Sequence, residues 1–141
     1  MKTHATKQSE LKVGWHFFDA TEKVVGRLST EIVEKLMGKH KVNYVPYLNC
    51  GDKVVVTNSD KVVLTGSKEQ DKLYRTHSRK LGNLKEITAS QLRAKDSTKL
   101  ISKAVYGMLP KNRLRDVRMT NLYIYKGPEN PHHGQKDKKD A

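Results

Sequence analysis

WHFFDATEKVVGRLSTEIVEKLMG, residues 15–38, reads as a short strand feeding an amphipathic helix. Residues 15–20 are rich in aromatics, the composition of a strand, and Thr21 stands where an N-cap would open the next element. Beyond it Val25, Leu28, Ile32, Val33, Leu36 and Met37 recur at offsets of 3, 7, 8, 11 and 12 from the first. That is one stripe of a helical period, and Arg27, Glu31, Glu34 and Lys35 take the other faces. Gly38 is the expected C′ residue, because the left-handed turn that closes a helix is open to glycine without a Cβ penalty.

Downstream, GKHKVNYVPYLNCGD (38–52) mixes cations, tyrosines and Pro46 and is expected to be an extended connection. Two short β-branched runs follow, 54–57 and 62–65, separated by Asn58, Ser59, Asp60 and Lys61, the pattern of buried strands. Strand, helix and strand in that order imply a βαβ crossover, right-handed if the two strands are parallel. In residues 66–85 periodicity fades and polar, basic residues dominate, so a long functional loop is expected. Residues 87–94 suit a short helix. Asp96 or Ser97 would cap a second one, carrying Leu100, Ile101, Ala104, Val105 and Met108 inward and ending at Gly107. Pro110 suits the first turn of a third, running to about Met119 with Leu114 and Val117 inward and its cations outward. Residues 122–125 (LYIY) form a last strand.

The 141 residues fit one domain with a single core. The expected fold is α/β: a mainly parallel β-sheet flanked by helices over 13–135, with basic loops, a short polar N-terminal extension (1–12) and a charged C-terminal tail (136–141).

Charge states the functional problem. The formal net charge is +13 and the pI about 9.8, and the excess is concentrated: residues 71–141 hold 17 Lys and Arg against 7 Asp and Glu. In KAVYGMLPKNRLRDVR (103–118), an apolar helical end runs through Gly107 and Pro110 into Lys111, Arg113, Arg115 and Arg118, offset only by Asp116. Such a cluster repels itself unless it faces a polyanion. His77, among Arg75, Ser78, Arg79 and Lys80, combines a stacking ring with phosphate donors. Trp15, Phe17 and Phe18 belong to the core, leaving too few aromatics for a base-stacking platform. Zinc-finger spacing and a heptad-bearing basic region are absent, so backbone and shape recognition of folded RNA is favoured over reading a DNA groove.

Other chemistries find little support. Gly38, Lys39 and His40 lack the upstream glycine of a P-loop, and His40 stands where its Ser/Thr would be. No GxGxxG follows either candidate strand. Cys50 is the one cysteine, which excludes an internal disulfide and a cysteine zinc site, and it reads as a packing residue. His132 and His133 are adjacent and cannot face one ion as a helical i, i+4 pair does, so no metal or cofactor is expected and both histidines are read as surface or RNA-facing. The N-terminus lacks an apolar h-region and no run approaches a membrane span, which leads us to expect a cytoplasmic protein with no membrane partner.

The blocks DATEKVVGRLSTEIVEKLMGKHK (19–41), YVPYLNCGDKVVVTNSDKVVLTGSK (44–68), KLYRTHS (72–78) and AVYGMLPKNRL (104–114) closely resemble the bacterial-type large-subunit ribosomal protein L-thirteen family. The resemblance covers residues 15–135. It implies a mainly parallel α/β fold docked on large-subunit rRNA, supporting subunit assembly beside neighbouring large-subunit proteins, with no catalysis and no small-molecule substrate. Carried over to matching positions, it marks Lys39, His40 and Lys41, then Lys68 and Lys72, then Tyr74, Arg75, His77 and Ser78, then Lys111, Asn112 and Arg113 as rRNA contacts. Charge adds Arg79, Lys80, Arg115 and Arg118, and the tail adds His132 and His133. The chain departs from the family pattern at RKLGNLK (79–85), at Arg115 in place of a glycine, and at Asn130-Pro131-His132-His133.

Overall fold

The first strand and helix form much as their pattern requires in a computed structural model that describes residues 4–135. The tail expected over 136–141 lies outside the described residues. Strand β1 (Trp15–Asp19) leads to helix α1 (Val25–Met37), and β2 (Lys53–Thr57) returns parallel to β1, pairing Trp15 with Lys53 and Asp19 with Thr57. Strand β5 (Leu122–Ile124) adds in parallel on the other side of β2, so the sheet order is β1-β2-β5. The central strand is the most apolar, and Val54, Val55 and Val56 are all buried, as a strand covered on both faces demands.

Alternation along the strands divides the two faces. Phe18, Val54, Val56, Leu122 and Ile124 meet Leu28, Ile32 and Leu36 of α1 and Ile101 and Val105 of α4 (Thr98–Met108) in the main core. On the opposite face Trp15 stacks on Tyr123 with centroids 5.9 Å apart, and His132 packs on both rings. Gly38 closes α1 as expected: at φ +77° its N–H reaches Lys35 O, and the Lys39 N–H reaches Glu34 O, the paired bonds of a Schellman motif.

Several local expectations are corrected. Thr21 does not cap α1, which begins four residues later; its N–H and hydroxyl bond Asp19 Oδ1 instead. Residues 39–49 are a chain of turns rather than an extended connection, with Lys41 N–H on Gly38 O and Tyr44 N–H on Lys41 O. Residues 62–65 make no strand. Asn58, in the left-handed region, and a 3₁₀ turn at Ser59–Lys61 redirect the chain, so Val63 forms one parallel bridge to Val24 while Val62 enters the core.

Residues 66–85, expected as a loop, hold the short helix α2 (Lys68–Asp71) and an antiparallel hairpin of β3 (Leu73–His77) and β4 (Leu84–Thr88). Its alternation is masked by cations on both faces, which is why it does not read as a strand. Helix α3 (Ala89–Asp96) starts two residues later than expected, after Thr88 and Gln91 form a reciprocal capping box. Gly107 lies inside α4 instead of ending it, and Met108 is exposed while Leu109 is buried. Helix α5 is only Leu114–Met119, starting four residues after Pro110.

Candidate nucleic-acid interface

The β3–β4 hairpin is an arm anchored at its base. Tyr74 and Ile87, paired across it, pack on Ala89, Leu92 and Leu100, forming a second, smaller core. The base is held further by Arg93, whose Nε and Nη2 grip both Glu69 oxygens at 2.8 and 3.0 Å while Nη1 donates to the carbonyls of Asp60 and Val62. That planar fork suits arginine. Arg93 therefore contributes to the basic count of this half of the chain as a structural clamp.

Beyond the base, register places Arg75, His77, Leu84 and Glu86 on one face of the arm and Thr76 and Lys85 on the other. Arg75 pairs with Glu86, its cross-strand partner. Ser78 and Asn83 close the tip, the Asn83 amide donating to Ser78 Oγ at 2.7 Å, and Gly82 supplies the positive φ of the turn. Arg79 and Lys80 at the tip and Lys85 are exposed, and their side chains have no hydrogen-bond or ion-pair partner among the described residues.

A second basic group follows α4. Lys111, Asn112 and Arg113 are exposed in the loop before α5, where Asn112 Oδ1 accepts the Leu114 N–H at 3.1 Å and so shapes the turn. Arg115 is half-buried, its guanidinium 3.9 Å from the Tyr106 ring centre, a cation–π contact. One turn back along α4, Lys103 lies over Tyr74 at 5.1 Å, and Lys72 lies over the same ring at 5.4 Å. Positions 103 and 106 share a helical face. The outer side of α4 thus joins the arm to the 111–113 loop as one basic ridge.

The profile of the family Ribosomal protein L13 matches residues 13–131. The chain belongs to the ribosomal protein L13 family. Among its relatives, the large ribosomal subunit protein uL13 of Methylococcus capsulatus is 46% identical over 138 residues, 98% of this chain and 97% of the relative. That of Dictyoglomus thermophilum is 48% identical over 138 residues, covering 98% and 97%; that of Legionella pneumophila (strain Corby) is 46% identical, covering 98% and 96%. L13 proteins are structural ribosomal components, not enzymes, as the resemblance of the sequence blocks implied.

Within this L13 chain the expected contact residues divide. Arg118 is a correction: it is 1% exposed, not outward, because the short α5 presents its 114/118 side inward and leaves Val117 exposed. Its Nε and Nη2 have no hydrogen-bond partner among the described residues. His132 is half-buried. It sits 4.7 Å from the Tyr123 ring and 5.1 Å from Trp15, with Nε2 3.0 Å from the Tyr125 hydroxyl, pinning the tail to the sheet; His133 is exposed.

In the GKHK turn only Lys39 points its charge outward. Lys41 Nζ bonds Asp52 Oδ1 and the carbonyls of Lys12 and Cys50, and His40 Nε2 lies 2.9 Å from Asp52 Oδ2. His16 Nε2 lies 2.9 Å from the same oxygen, and the Gly14 N–H donates to Oδ1 at 2.8 Å. Burial alone would raise the Asp52 pKa, but the bonds from His16, Lys41 and Gly14 outweigh it and hold the carboxyl far below its usual range. Lys68 donates to Thr65 Oγ1 at 3.2 Å from an exposed position. Spacing alone does not reveal Lys85, Lys103 and Tyr106 as members of the ridge. For the last two the available signal is helical phase: Leu100, Ile101 and Val105 face inward, which turns 103 and 106 out.

Proposed function

We propose that this protein is a structural constituent of the large ribosomal subunit that binds large-subunit rRNA along the ridge from the hairpin tip to the 111–113 loop. Its place of work is the cytoplasmic ribosome, and its partners are that rRNA and neighbouring large-subunit proteins. The observation that carries the reading is the set of exposed cations, Arg79 and Lys80 at the hairpin tip, Lys85 on β4, and Lys111 and Arg113 in the loop before α5, with no intramolecular partner for their charge among the described residues. Cations presented this way are available to phosphate oxygens from two rRNA segments at once. Neutralising both phosphates lowers the repulsion between the segments, which is how a protein without catalysis promotes subunit assembly. The rings of Tyr74 and Tyr106 carry cations of the protein itself, which favours backbone contact over base stacking.

The test is a salt titration of binding to a large-subunit rRNA fragment. For wild type, log K falls with log salt by up to about 0.9 per phosphate contact. Replacing Arg79, Lys80, Lys111 and Arg113 by Ala flattens that slope and weakens binding, with the unfolding midpoint unchanged. Equal slopes for the two proteins would remove the ridge from the interface.

A further inference from the structure

We propose that His16 Nε2, His40 Nε2 and Asp52 Oδ2 form a binding site for a divalent cation of the zinc class, a role separate from the basic ridge. The three side chains come from different segments: β1, the turn after α1, and the residue before β2. Both imidazoles place the same nitrogen 2.9 Å from the same carboxylate oxygen, His16 in a hydrogen bond to it, and the three donor atoms lie within 4.8 Å of one another. The two rings meet edge to face, at 86° and 5.2 Å.

Zinc binds imidazole and carboxylate at about 2.0–2.2 Å in a tetrahedral shell, so its ligand atoms sit roughly 3.2–3.6 Å apart. To admit the ion the His–Asp separations open by about 0.3–0.7 Å, and the two imidazole nitrogens, within 4.8 Å of each other, settle to the same spacing. Without metal, the His16 ring carries its hydrogen on Nε2 to donate to Asp52; with metal, each Nε2 offers its lone pair to the ion and each neutral ring carries its one hydrogen on Nδ1. Two imidazoles and one carboxylate suit zinc, cobalt or iron(II) better than magnesium or calcium, which prefer all-oxygen shells.

The surroundings complete the geometry. Gly14 N–H and Lys41 fix the other Asp52 oxygen, the outer-shell support that orients a ligating carboxylate. The side chains of His16 and His40 retain 15% and 22% exposure, leaving an opening for water as fourth ligand. The Lys41 ammonium opposes a cation, and its sharing between Asp52 and the carbonyls of Lys12 and Cys50 moderates that opposition. Affinity should therefore be micromolar, well short of that of a closed structural zinc site.

The experiment is titration of the full-length, chelator-treated protein with Co²⁺, followed by its visible ligand-field spectrum, and with Zn²⁺ by calorimetry. Expected are an intense four-coordinate cobalt spectrum that one equivalent of zinc abolishes, a micromolar zinc Kd, and at least a tenfold loss of affinity in His16→Phe. The cobalt spectrum is read on the unaltered protein, so it does not depend on the variant folding. A weak six-coordinate spectrum, or equal zinc affinity in wild type and a folded His16→Phe, would overturn the proposal and leave a purely hydrogen-bonded cluster.

Discussion

Gly51→Ala tests how tightly the Asp52 cluster is set by packing. Gly51 is buried against the last turn of α1, and a Cβ added there would lie 1.9 Å from Leu36 O and 2.7 Å from its carbonyl carbon. Contacts under 3.0 Å are essentially never made by a real Cβ, so the two backbones must part by about 1 Å or more. Both atoms are backbone, and no flexible side chain can yield. The neighbouring Asp52 N–H donates to Lys35 O at 3.0 Å, and the separation breaks that bond. Overpacking typically costs about 1–3 kcal/mol. The lost hydrogen bond adds about 1 kcal/mol, and the stiffer unfolded chain of the variant returns roughly 0.4–1 kcal/mol. The net loss is about 2 kcal/mol, or on the order of 5–10 °C in Tm for a domain of this size. Urea unfolding of both proteins measures it. Gly107→Ala is the internal control: it lies within α4 with nothing within 4 Å of the new Cβ, so it should gain about 0.5–1 kcal/mol. A Gly51→Ala protein within about 0.5 kcal/mol of wild type would refute the reasoning.

Three further outcomes are expected. Arg118→Met replaces a buried guanidinium, two of whose nitrogens lack partners among the described residues, by an apolar chain. Urea unfolding should show stability unchanged or raised by about 1 kcal/mol or more, whereas a loss above about 1 kcal/mol would reveal a partner for the charge. Asp52→Asn leaves Lys41 without its counter-charge and should cost on the order of 2–3 kcal/mol after allowing for partial exposure of Lys41; an unchanged denaturation midpoint would show the cluster to be energetically idle. Hydrogen bonds from the Asn58 amide and from the Thr21 N–H and hydroxyl hold Asp19 down to about 2. Its stabilising contribution is thus complete above the unfolded carboxyl pKa of about 3.9 and disappears as pH falls toward about 2. Denaturant unfolding at stepped pH should show a shallower acid loss in Asp19→Asn over that window, and parallel curves would contradict the assignment.

What could be read without the fold was what local chemistry dictates. The stripe from Val25 to Met37, the Gly38 cap, the valine run of β2 and the basic bias of the second half each depend on neighbours within a turn or two of chain. So does the expectation of a polyanion as partner, and the family follows from blocks of residues in order. The tertiary structure decided what depends on contacts between distant segments. Pairing of β3 with β4 turned an unpatterned stretch into an arm, because backbone bonding and the Tyr74–Ile87 anchor outweigh a weak strand pattern. The phase of the six-residue α5 put Arg118 inside, since so short a helix follows the packing of its ends more than its own stripe. The GKHK turn shows the division most plainly. Its charge is visible in the chain, but only the approach of Asp52 and His16, held by α1 against β1 and β2, turns His40 and Lys41 inward and leaves Lys39 facing out. Sequence specifies which side chains carry charge; long-range packing specifies which of those charges already have partners.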